Sequence, residues 1–460
     1  MNNQVAQVSE KELATAEQVV PAGYKQTEVG VIPEDWEYKT IGELATVFSG
    51  GTPNRKVAEY WGGDIPWVTT TLIDGQVINN ANEFITPKGV ERSSVKRCKA
   101  GSILMAMYGQ GKTRGKVALL GFDATINQAC ASIELKDLNT NTYVLHVLNS
   151  MYESIRELSN SGGQENLSGG IVKSIKIPFP PKEEQTAIAN ALSDMDALLG
   201  SLEALVAKKQ AIKTATMQQL LTGRTRLPQF ATWPDGSPKG YKTSELGEIP
   251  EDWEVKTYGE IFTFLSTSTN SRADLTREGD CGYVHYGDIH TKWNNKIDLE
   301  IIELPSISRD LVSSSLIEDG DVIMADASED YEGIGKSVEV FNVGERQVIA
   351  GLHTFLLRDK GQQLSDGYRG YLHNIPAVKS SFDRLATGMK VYGISKNNLN
   401  VVCVPVPSKK EQTAIATILS DMDEEIQALE ARLAKTRDLK QGMMQQLLTG
   451  KIRLPVEHSA

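Results

Sequence analysis

The sequence repeats itself, and this duplication constrains the fold more than any other feature of the chain. The segment YKQTEVGVIPEDWEYKTIGEL at residues 24–44 returns as YKTSELGEIPEDWEVKTYGEI at residues 241–261, a shift of 217. KEEQTAIANALSDMD at 182–196 returns as KKEQTAIATILSDMD at 409–423, and MQQLLTGRTRLP returns as MQQLLTGKIRLP, both with a shift of 227. Repeats of this kind indicate a structure built from two copies of one unit.

The segments between the repeated flanks, residues 45–180 and 262–407, share only a skeleton. GSILMA is echoed by GDVIMA, GKVALL by GKSVEV, and NLSGGIVKSIKIPFPP by GISKNNLNVVCVPVPS. Both segments are rich in short apolar runs separated by Gly, Pro, Asn and Asp, such as SILMAMY, KVALL, GYVHYGDI and HTFLLR, which predict strands. Each also contains one helix-like stretch, TYVLHVLNSMYESIRELS or DGYRGYLHNIPAVKSSFDRL. We therefore predict two α+β domains of about 140 residues.

A long helix is predicted after each domain. Its apolar residues alternate at spacings of four and three, which is the a/d seam of a coiled coil: Ile188, Leu192, Met195, Leu199, Leu202 and Val206 in one copy, and Ile415, Leu419, Met422, Ile426, Leu429 and Leu433 in the other. Lys209, Lys213, Thr436 and Lys440 take the next seam positions. Ser408 and Glu411 predict a capping box, and Gly223 and Gly450 predict the helix ends. Each helix would span about 37 residues, or roughly 55 Å.

The predicted fold class is therefore α+β, with two globular domains in tandem, each followed by a long helix, and the two helices packing as an antiparallel coiled coil. Trp36 and Trp253 hold equivalent places in the repeat and are expected to pack the scaffold. The predicted boundaries are an N-terminal tail 1–23, a first domain 24–181, a first helix 182–223, a linker 224–240, a second domain 241–407, a second helix 408–450 and a C-terminal tail 451–460.

The charge of the chain limits the kinds of partner. A net charge of -11 with a pI of about 5.3 argues against a general polyanion binder. Residues 91–116 nevertheless form a basic stretch, which is either a phosphate-binding face or a solvated surface; it contains Arg92, Lys96, Arg97, Lys99, Lys112, Arg114 and Lys116 against Glu91 alone.

Cysteine usage and hydropathy give an expectation about location. The four cysteines are far apart and form no C-x-x-C pair, which fits a reducing compartment. The N-terminus has no basic and apolar signal pattern, and no run reaches the ~18 apolar residues of a membrane span. We expect a cytoplasmic protein without a membrane partner.

Three patterns suggest catalysis, and each fails on inspection. Gly111-Lys112-Thr113 ends a phosphate-loop pattern, but Ala106 stands where the first glycine belongs, and the aligned loop of the second copy is the acidic SEDYEGI. Asp123, Glu134 and Lys136 resemble a nuclease pattern that the second copy lacks. Cys281, His285 and His290 have no further ligands at zinc spacing. We predict no catalytic residues, no metal site and no cofactor site in this chain.

The order of these motifs resembles the specificity subunit of Type I restriction-modification enzymes over about residues 24–455. The resemblance rests on the repeated IPEDWE, on SGGTPN…YWGGDIPWV from Ser49 to Val68, on AGSILMAMYG, on GGQENLSGGIVKSIKIPFPPKEEQ and on the repeated QQLLTG. Each motif alone is modest, whereas their order, present twice, is specific.

The resemblance implies a sequence-specific DNA-recognition subunit. Each domain would be a target-recognition domain that reads one half of a bipartite asymmetric sequence in double-stranded DNA. Two modification subunits with S-adenosylmethionine would methylate adenine, and two restriction subunits with ATP and Mg would translocate and cut DNA, so the chain itself would not be an enzyme. The alternatives are a stand-alone nuclease or nucleotide hydrolase, or a protein scaffold that does not read DNA.

Candidate contact residues are polar or aromatic side chains on loops, because loops on a rigid scaffold commonly carry binding. For DNA they are Thr69, Thr70, Thr71, Tyr108, Gln110, Lys112, Thr113, Arg114, Lys116, Gln164 and Asn166 in the first domain, and Tyr286, Asp288, His290, Lys292, Asp326, Ser328, Lys336, Lys390 and Tyr392 in the second. The apolar helix ends are candidates for docking a partner subunit, or else for closing a small hydrophobic cluster: Met217, Leu220, Leu221, Met444, Leu447 and Leu448.

Overall fold

The computed structural model describes residues 20–109, 112–158, 166–276 and 278–455. The chain divides into two units, one comprising the described residues up to Leu202 and from Arg432 onward, the other Glu203–Ala431. The division cuts both long helices. Each unit therefore holds one globular domain, the start of the helix that follows it and the end of the other long helix. In the second unit these parts are continuous in sequence, whereas in the first they come from both ends of the chain.

The first domain is built on two sheets. The five-stranded sheet has the order Ala45–Ser49, Cys130–Leu135, Ile103–Ala106, Val117–Leu120, Val77–Ile78, and the four-stranded sheet has the order Glu83–Ile85, Trp61–Val68, Ala124–Ile126, Arg97–Cys98. Two pairs complete the strands, Tyr24–Thr27 with Gly30–Pro33 and Glu37–Thr40 with Lys176–Phe179. The helices are Ile41–Leu44, Pro87–Glu91, Asn141–Ser150, Tyr152–Glu157 and Gly169–Ser174. The predicted run SILMAMY supplies Ile103–Ala106, whose four residues are all buried.

The second domain repeats this plan with different residues. Its five-stranded sheet has the order Phe262–Leu265, Thr354–Asp359, Val322–Ala325, Ser337–Phe341, Lys296–Asp298, and its three-stranded sheet has the order Ser306–Ile307, Cys281–Val284, Val348–Ala350. Three pairs are Tyr241–Ser244 with Gly247–Pro250, Glu254–Thr257 with Cys403–Val406, and Ala327–Ser328 with Tyr392–Gly393. The helices are Tyr258–Ile261, Tyr286–Thr291, Pro376–Leu385 and Lys396–Asn400. The two α+β domains predicted from the repeat are confirmed.

Two predicted elements of the second domain differ from the structure. GYVHYGDI was expected to be one strand, but the strand ends at Val284 and a helix starts at Tyr286. The His285 side chain caps that helix by accepting a hydrogen bond from the Gly287 amide. DGYRGYLHNIPAVKSSFDRL divides into a 3-10 helix Arg369–Asn374 and an α-helix from Pro376, because proline cannot donate the hydrogen bond that a continuous helix needs.

The long helices, Lys182–Leu220 and Lys409–Leu447, have 39 residues each. In the first unit the Lys440 ammonium pairs with Asp196, and in the second unit Lys213 pairs with Asp423. In both units the start of one helix therefore lies beside the end of the other, which confirms the antiparallel prediction. The seam is buried at Ile188, Leu192, Leu202 and Val206 in the first helix and at Ile415, Leu419, Ile426 and Leu433 in the second.

The capping box predicted for Ser408 and Glu411 is only half formed. Ser408 Oγ accepts a hydrogen bond from the Glu411 amide at 3.4 Å. The Glu411 carboxylate does not return a hydrogen bond to the cap, because Trp253 Nε1 and the Arg226 guanidinium bind it. Glu184 of the first copy is bound in the same way by Trp36 Nε1 and Arg453.

These contacts explain the repeated sequence flanks. Each tryptophan of IPEDWE is fully buried, as predicted, and each arginine follows a QQLLTG helix end. Gly223 and Gly450 have φ of +68° and +69°. A Cβ on either glycine would lie within about 2.5 Å of Pro250 or Pro33, so both the backbone conformation and the space require glycine. The predicted helix ends are thus confirmed, and each helix end is fastened to the start of a domain within its own unit.

Candidate nucleic-acid interface

A junction of four chain segments positions the candidate residues of the first domain. The strand Trp61–Val68 ends where the Asn127 amide donates to the Val68 carbonyl at 3.0 Å. The Met107 amide donates to Ala129, and the Leu167 amide donates to Met107 at 3.0 Å. The segments that start at residues 69, 107 and 127 and the one that ends at Asn166 therefore meet. We call this junction the first loop edge.

The second domain has the same junction. The Gly351 amide donates to the Val284 carbonyl at 2.9 Å, the Asp326 amide donates to His353, and the Ile394 amide donates to Asp326 at 2.9 Å. We call this the second loop edge; its segments are 285–292, 326–333, 351–353 and 387–393. The backbone of the two edges matches, although their side chains do not.

Most of the described DNA-contact candidates of the first domain lie at the first loop edge. Tyr108, Lys112 and Asn166 are exposed, and Thr113, Arg114 and Lys116 are partly buried. The Lys112 carbonyl accepts a 2.6 Å hydrogen bond from Tyr152, which anchors the loop tip to the helix Tyr152–Glu157. Thr69, Thr70 and Thr71 follow the strand at the same edge, where the hydroxyls of Thr69 and Thr71 are 2.7 Å apart. Gln110 and Gln164 lie outside the described residues.

Both copies form a hairpin here, in which Gly115-Lys116 of the first domain corresponds to Gly335-Lys336 of the second. Gly115 donates to the Ala106 carbonyl and Gly335 to the Ala325 carbonyl. Both glycines have positive φ, +87° and +76°. The strands on either side persist while the tip between them changes from basic to acidic, so the tip is not a conserved phosphate cradle.

At the second loop edge, four candidates line one cleft of about 1210 Å³. They are Tyr286, His290, Ser328 and Lys336. The Lys336 ammonium donates to the His290 carbonyl at 3.0 Å, and burial lowers the pKa of this lysine. Tyr392 is partly buried and stacks on Tyr331, whereas Lys390 is exposed at the tip of its loop.

One candidate of the second domain, Asp288, has a structural role instead. Asp288 is 2% exposed, and its Oδ1 pairs with Arg272 at 2.7 Å and with Lys292 at 3.2 Å. A buried carboxylate that is held by two cations cannot reach a base edge, so the prediction for Asp288 is corrected. The Lys292 side chain remains exposed, although its ammonium group is already paired with Asp288. Asp326 is partly buried, which raises the pKa of its carboxyl.

The sequence reading missed His353, Tyr331 and Met389 at the second loop edge. His353 has φ of +59°, and its Nδ1 lies 3.6 Å from Asp326 Oδ1, which opposes the effect of burial on the Asp326 pKa. Its ring packs against Tyr286 with centroids 5.5 Å apart. In the alignment of the two copies, His353 corresponds to Ala129 of the first domain, which has no comparable side chain. Tyr331 and Met389 lie in loops that the alignment had marked as variable, which was the available signal.

The predicted subunit-docking leucines are buried in hydrophobic cores. Leu447 and Leu448 belong to the core of the first unit with Trp36, Ile188 and Leu192. Leu220 and Leu221 belong to the core of the second unit. Buried side chains cannot contact a partner, so the alternative of a closed hydrophobic cluster holds for these four residues. Met217 and Met444 are only partly buried and pack against the same cores.

The part of the chain that the structure describes contains neither a metal-binding cluster nor a membrane-spanning helix. Among residues 20–109, 112–158, 166–276 and 278–455, no three His, Cys, Asp or Glu side chains are placed to hold a metal ion. Within the same described ranges, no helix is both long and apolar enough to cross a membrane.

The duplicated scaffold and the paired loop edges define a class of protein in which two variable domains are carried by one repeated frame. Comparison with known proteins gives that class a family. The Type I restriction modification DNA specificity domain matches residues 33–214 and 250–436, once in each half. The chain belongs to this family.

Similar proteins extend over part or nearly all of the chain. The MjaIX specificity subunit of Methanocaldococcus jannaschii is 31% identical over 263 residues, which is 55% of this chain and 57% of that protein. The putative MjaX specificity subunit of the same organism is 25% identical and covers 94% of this chain and 97% of itself. The crystal structure of a Type I system S subunit from M. genitalium matches with a TM-score of 0.55 at 16% identity, covering 90% of this chain and 96% of that one, and supports the fold.

Proposed function

We propose that this chain is the DNA-recognition subunit of a Type I restriction-modification complex. Each domain reads one half of a bipartite asymmetric target through its loop edge. The observation that carries this function is the family match in both halves, combined with one backbone junction that bears different side chains in each copy. A fixed frame with variable edges lets two domains read two different half-sites, because specificity comes from side chains at base edges.

The chemistry belongs to partner subunits in this proposal. Two modification subunits bind S-adenosylmethionine and methylate adenine, and two restriction subunits use ATP and Mg to translocate and cut DNA. This chain contributes recognition and no catalytic group. The complex works in the cytoplasm, where the DNA is.

The two domains differ in net charge, and they should therefore depend to different degrees on partner subunits for phosphate contacts. Residues 24–181 contain 16 Lys or Arg and 16 Asp or Glu, whereas residues 241–407 contain 16 and 26. Phosphate contacts supply much of the affinity for DNA. The second domain therefore depends more on phosphate contacts from the modification subunits than the first does.

Exchange of one recognition domain tests the proposal. Residues 45–180 are replaced by the matching segment of another family member, and N6-methyladenine is located by sequencing DNA from cells that express the complete system. We expect one half of the methylated sequence to change and the other half to stay. An unchanged sequence would favour a protein scaffold, and cutting of DNA or hydrolysis of ATP by the purified chain alone would favour an enzyme.

Charge removal at the first loop edge tests its role in affinity. We expect Lys112→Ala with Arg114→Ala to weaken binding of the complex to its target about tenfold and to reduce the salt dependence of binding. Subunit assembly on size-exclusion chromatography should be unchanged. Lys25→Ala with Lys242→Ala, on the hairpins that open the two halves, is the matched control and should leave the dissociation constant unchanged. Equal effects of both pairs would contradict the assignment.

A further inference from the structure

One loop of the second loop edge is closed by a pair of backbone hydrogen bonds. Thr387 and Gly393 exchange two backbone hydrogen bonds, Thr387 amide to Gly393 carbonyl at 3.0 Å and Gly393 amide to Thr387 carbonyl at 2.9 Å. Gly388 has φ of +141°, and a Cβ there would lie 1.9 Å from the Val391 carbonyl oxygen. The turn is thus too tight for any residue but glycine, and it fixes the four residues at its tip, 388–391.

The tip is apolar on both sides of a lysine. Met389 is 96% exposed and Val391 is 53% exposed, and Lys390 stands between them. A single exposed apolar side chain is ordinary on a protein surface. Here, however, an unbranched methionine lies almost free of contacts at the end of a backbone that has already lost its conformational freedom. Its insertion elsewhere therefore costs little further ordering.

The base of the loop is supported by aromatic and backbone contacts. Tyr392 stacks on Tyr331 with ring centroids 4.0 Å apart. Tyr392 and Gly393 pair with Ser328 and Ala327 in a two-stranded sheet. Lys379 donates to the Tyr331 carbonyl and so ties the acidic hairpin tip to the helix Pro376–Leu385. These contacts hold the base of the loop against the rest of the domain.

The charge around the loop identifies its occupant. Residues 376–396 contain Lys379, Arg384, Lys390 and Lys396 against Asp383 alone, within a domain that is otherwise acidic. This positive segment complements a phosphate backbone. Apolar side chains flanked by cations are what DNA-bending proteins insert between base steps, where methionine is among the residues used.

We propose that Met389 is a wedge that enters between two neighbouring base pairs of the half-site read by the second domain, while Lys390 contacts an adjacent phosphate. This inference rests on the proposed function and deepens it, since part of the sequence preference then comes from how easily that base step unstacks. Flexible pyrimidine–purine steps such as TA and CA unstack most readily. The wedge therefore favours such a step at its position.

The first domain supplies an internal control. Leu167 and Ile394 make equivalent hydrogen bonds, so in the sequence alignment of the two copies positions 159–166 correspond to positions 386–393. Positions 159–166 read SNSGGQEN and contain no apolar side chain. Only the second half-site should then be distorted by an inserted side chain.

The test uses the complex of this chain with its modification subunits, bound to a duplex that carries the target found by methylation sequencing. 2-Aminopurine is placed in turn at each step of both half-sites, except at the methylated adenines and their immediate neighbours, because methyltransferases flip their target base out of the stack. We expect its fluorescence to rise at one step of the second half-site and at none of the first. Met389→Ala should abolish this rise and weaken binding about tenfold, because the wedge contacts are lost. Lys390→Ala should keep the rise but lower the salt dependence of binding.

A second measurement separates a wedge from a merely structural residue. An abasic site at the same step removes stacking that the wedge must break, so it should tighten binding of the unchanged chain and leave the Met389→Ala complex unaffected. Flat fluorescence in the second half-site, or equal responses of both chains to the abasic site, would overturn the wedge. Loss of subunits from the Met389→Ala complex would overturn it too, by showing a protein contact. The proposed function itself fails differently, through a domain exchange that leaves the methylated sequence unchanged.

Discussion

Arg226 and Arg453 occupy equivalent places in the two copies, but their surroundings differ. Arg226 is 6% exposed and binds both Glu411, at 2.6 Å, and Asp252, at 2.9 Å. Arg453 binds Glu184 and Asp35 in the same pattern, yet it is 42% exposed. Because solvent screens the second cluster, the same hydrogen bonds should contribute less there.

Removing each arginine tests this difference at the residue scale. We expect Arg226→Ala to lower the free energy of unfolding by about 3 kcal/mol, because the buried Glu411 carboxylate keeps only Trp253 as a partner. Arg453→Ala is the matched control and should cost clearly less. Urea unfolding followed by tryptophan fluorescence measures both. Equal losses would show that burial does not govern these clusters.

A buried histidine predicts how stability depends on pH. Burial, together with a smaller effect of the nearby Lys336 charge, lowers the pKa of His373 from 6.5 to about 3. The unfolded state then binds more protons between these values, so the contribution of His373 is complete above about pH 6.5 and is lost as the pH falls toward 3. We expect the melting temperature to decrease as the pH is lowered from about 6.5 toward 3. His373→Asn should make this dependence shallower, and an unchanged slope would contradict the assignment.

At the scale of elements, charged residues in the seam define how the long helices align. Lys213 pairs with Asp423, which also accepts a 2.8 Å hydrogen bond from Tyr371. In the other unit Lys440 pairs with Asp196, whose carboxylate lies 4.0 Å from His146. An apolar heptad pattern alone tolerates shifted registers, whereas a charge inside the seam needs its partner at one position. The register of the long helices is therefore set after Val206 and Leu433, where the apolar seam ends.

A charge swap tests the register role. We expect Lys213→Asp to destabilise the chain and the added Asp423→Lys to recover part of the loss, with a coupling free energy above ~1 kcal/mol. The control swap is Lys209→Glu with Glu425→Lys, a more exposed pair whose coupling should stay below ~1 kcal/mol. Thermal unfolding of the unchanged chain, the four single variants and the two double variants gives both coupling free energies. Additive effects at Lys213 and Asp423 would remove the register argument.

At the scale of the whole molecule, the first unit needs both ends of the chain. Leu447 and Leu448 complete its core, the Tyr24 hydroxyl donates to the Gly450 carbonyl at 2.9 Å, and Arg453 binds Glu184. The second unit obtains the same groups from residues 217–226, which come shortly before its globular domain in the sequence. The first domain is therefore the one that a C-terminal deletion damages.

Truncation after Thr436 tests whether the first domain depends on the end of the second long helix. We expect this truncation to destabilise the first domain by several kcal/mol, because it removes two core leucines and leaves Glu184 without its arginine. Limited proteolysis should cut within residues 24–181 while 241–407 stays protected. A chain ending at Pro455 is the control and should resist. Equal resistance of both chains would contradict the shared core.

The sequence determined the duplication, the α+β class of each domain and the helix ends, because these follow from local periodicity and from glycines and prolines whose backbone preferences act over a few residues. It also determined that the edges differ, since aligning the copies separates constant strands from variable tips. Only the tertiary structure decided the rest. It turned Glu411 from a helix cap into the partner of Trp253 and Arg226, buried Asp288 and the helix-end leucines, and brought His353, Tyr331 and Met389 to one edge. Those outcomes depend on contacts between residues far apart in the sequence, such as Trp253 and Glu411, which are 158 positions apart, and no local pattern encodes which distant groups will share a site.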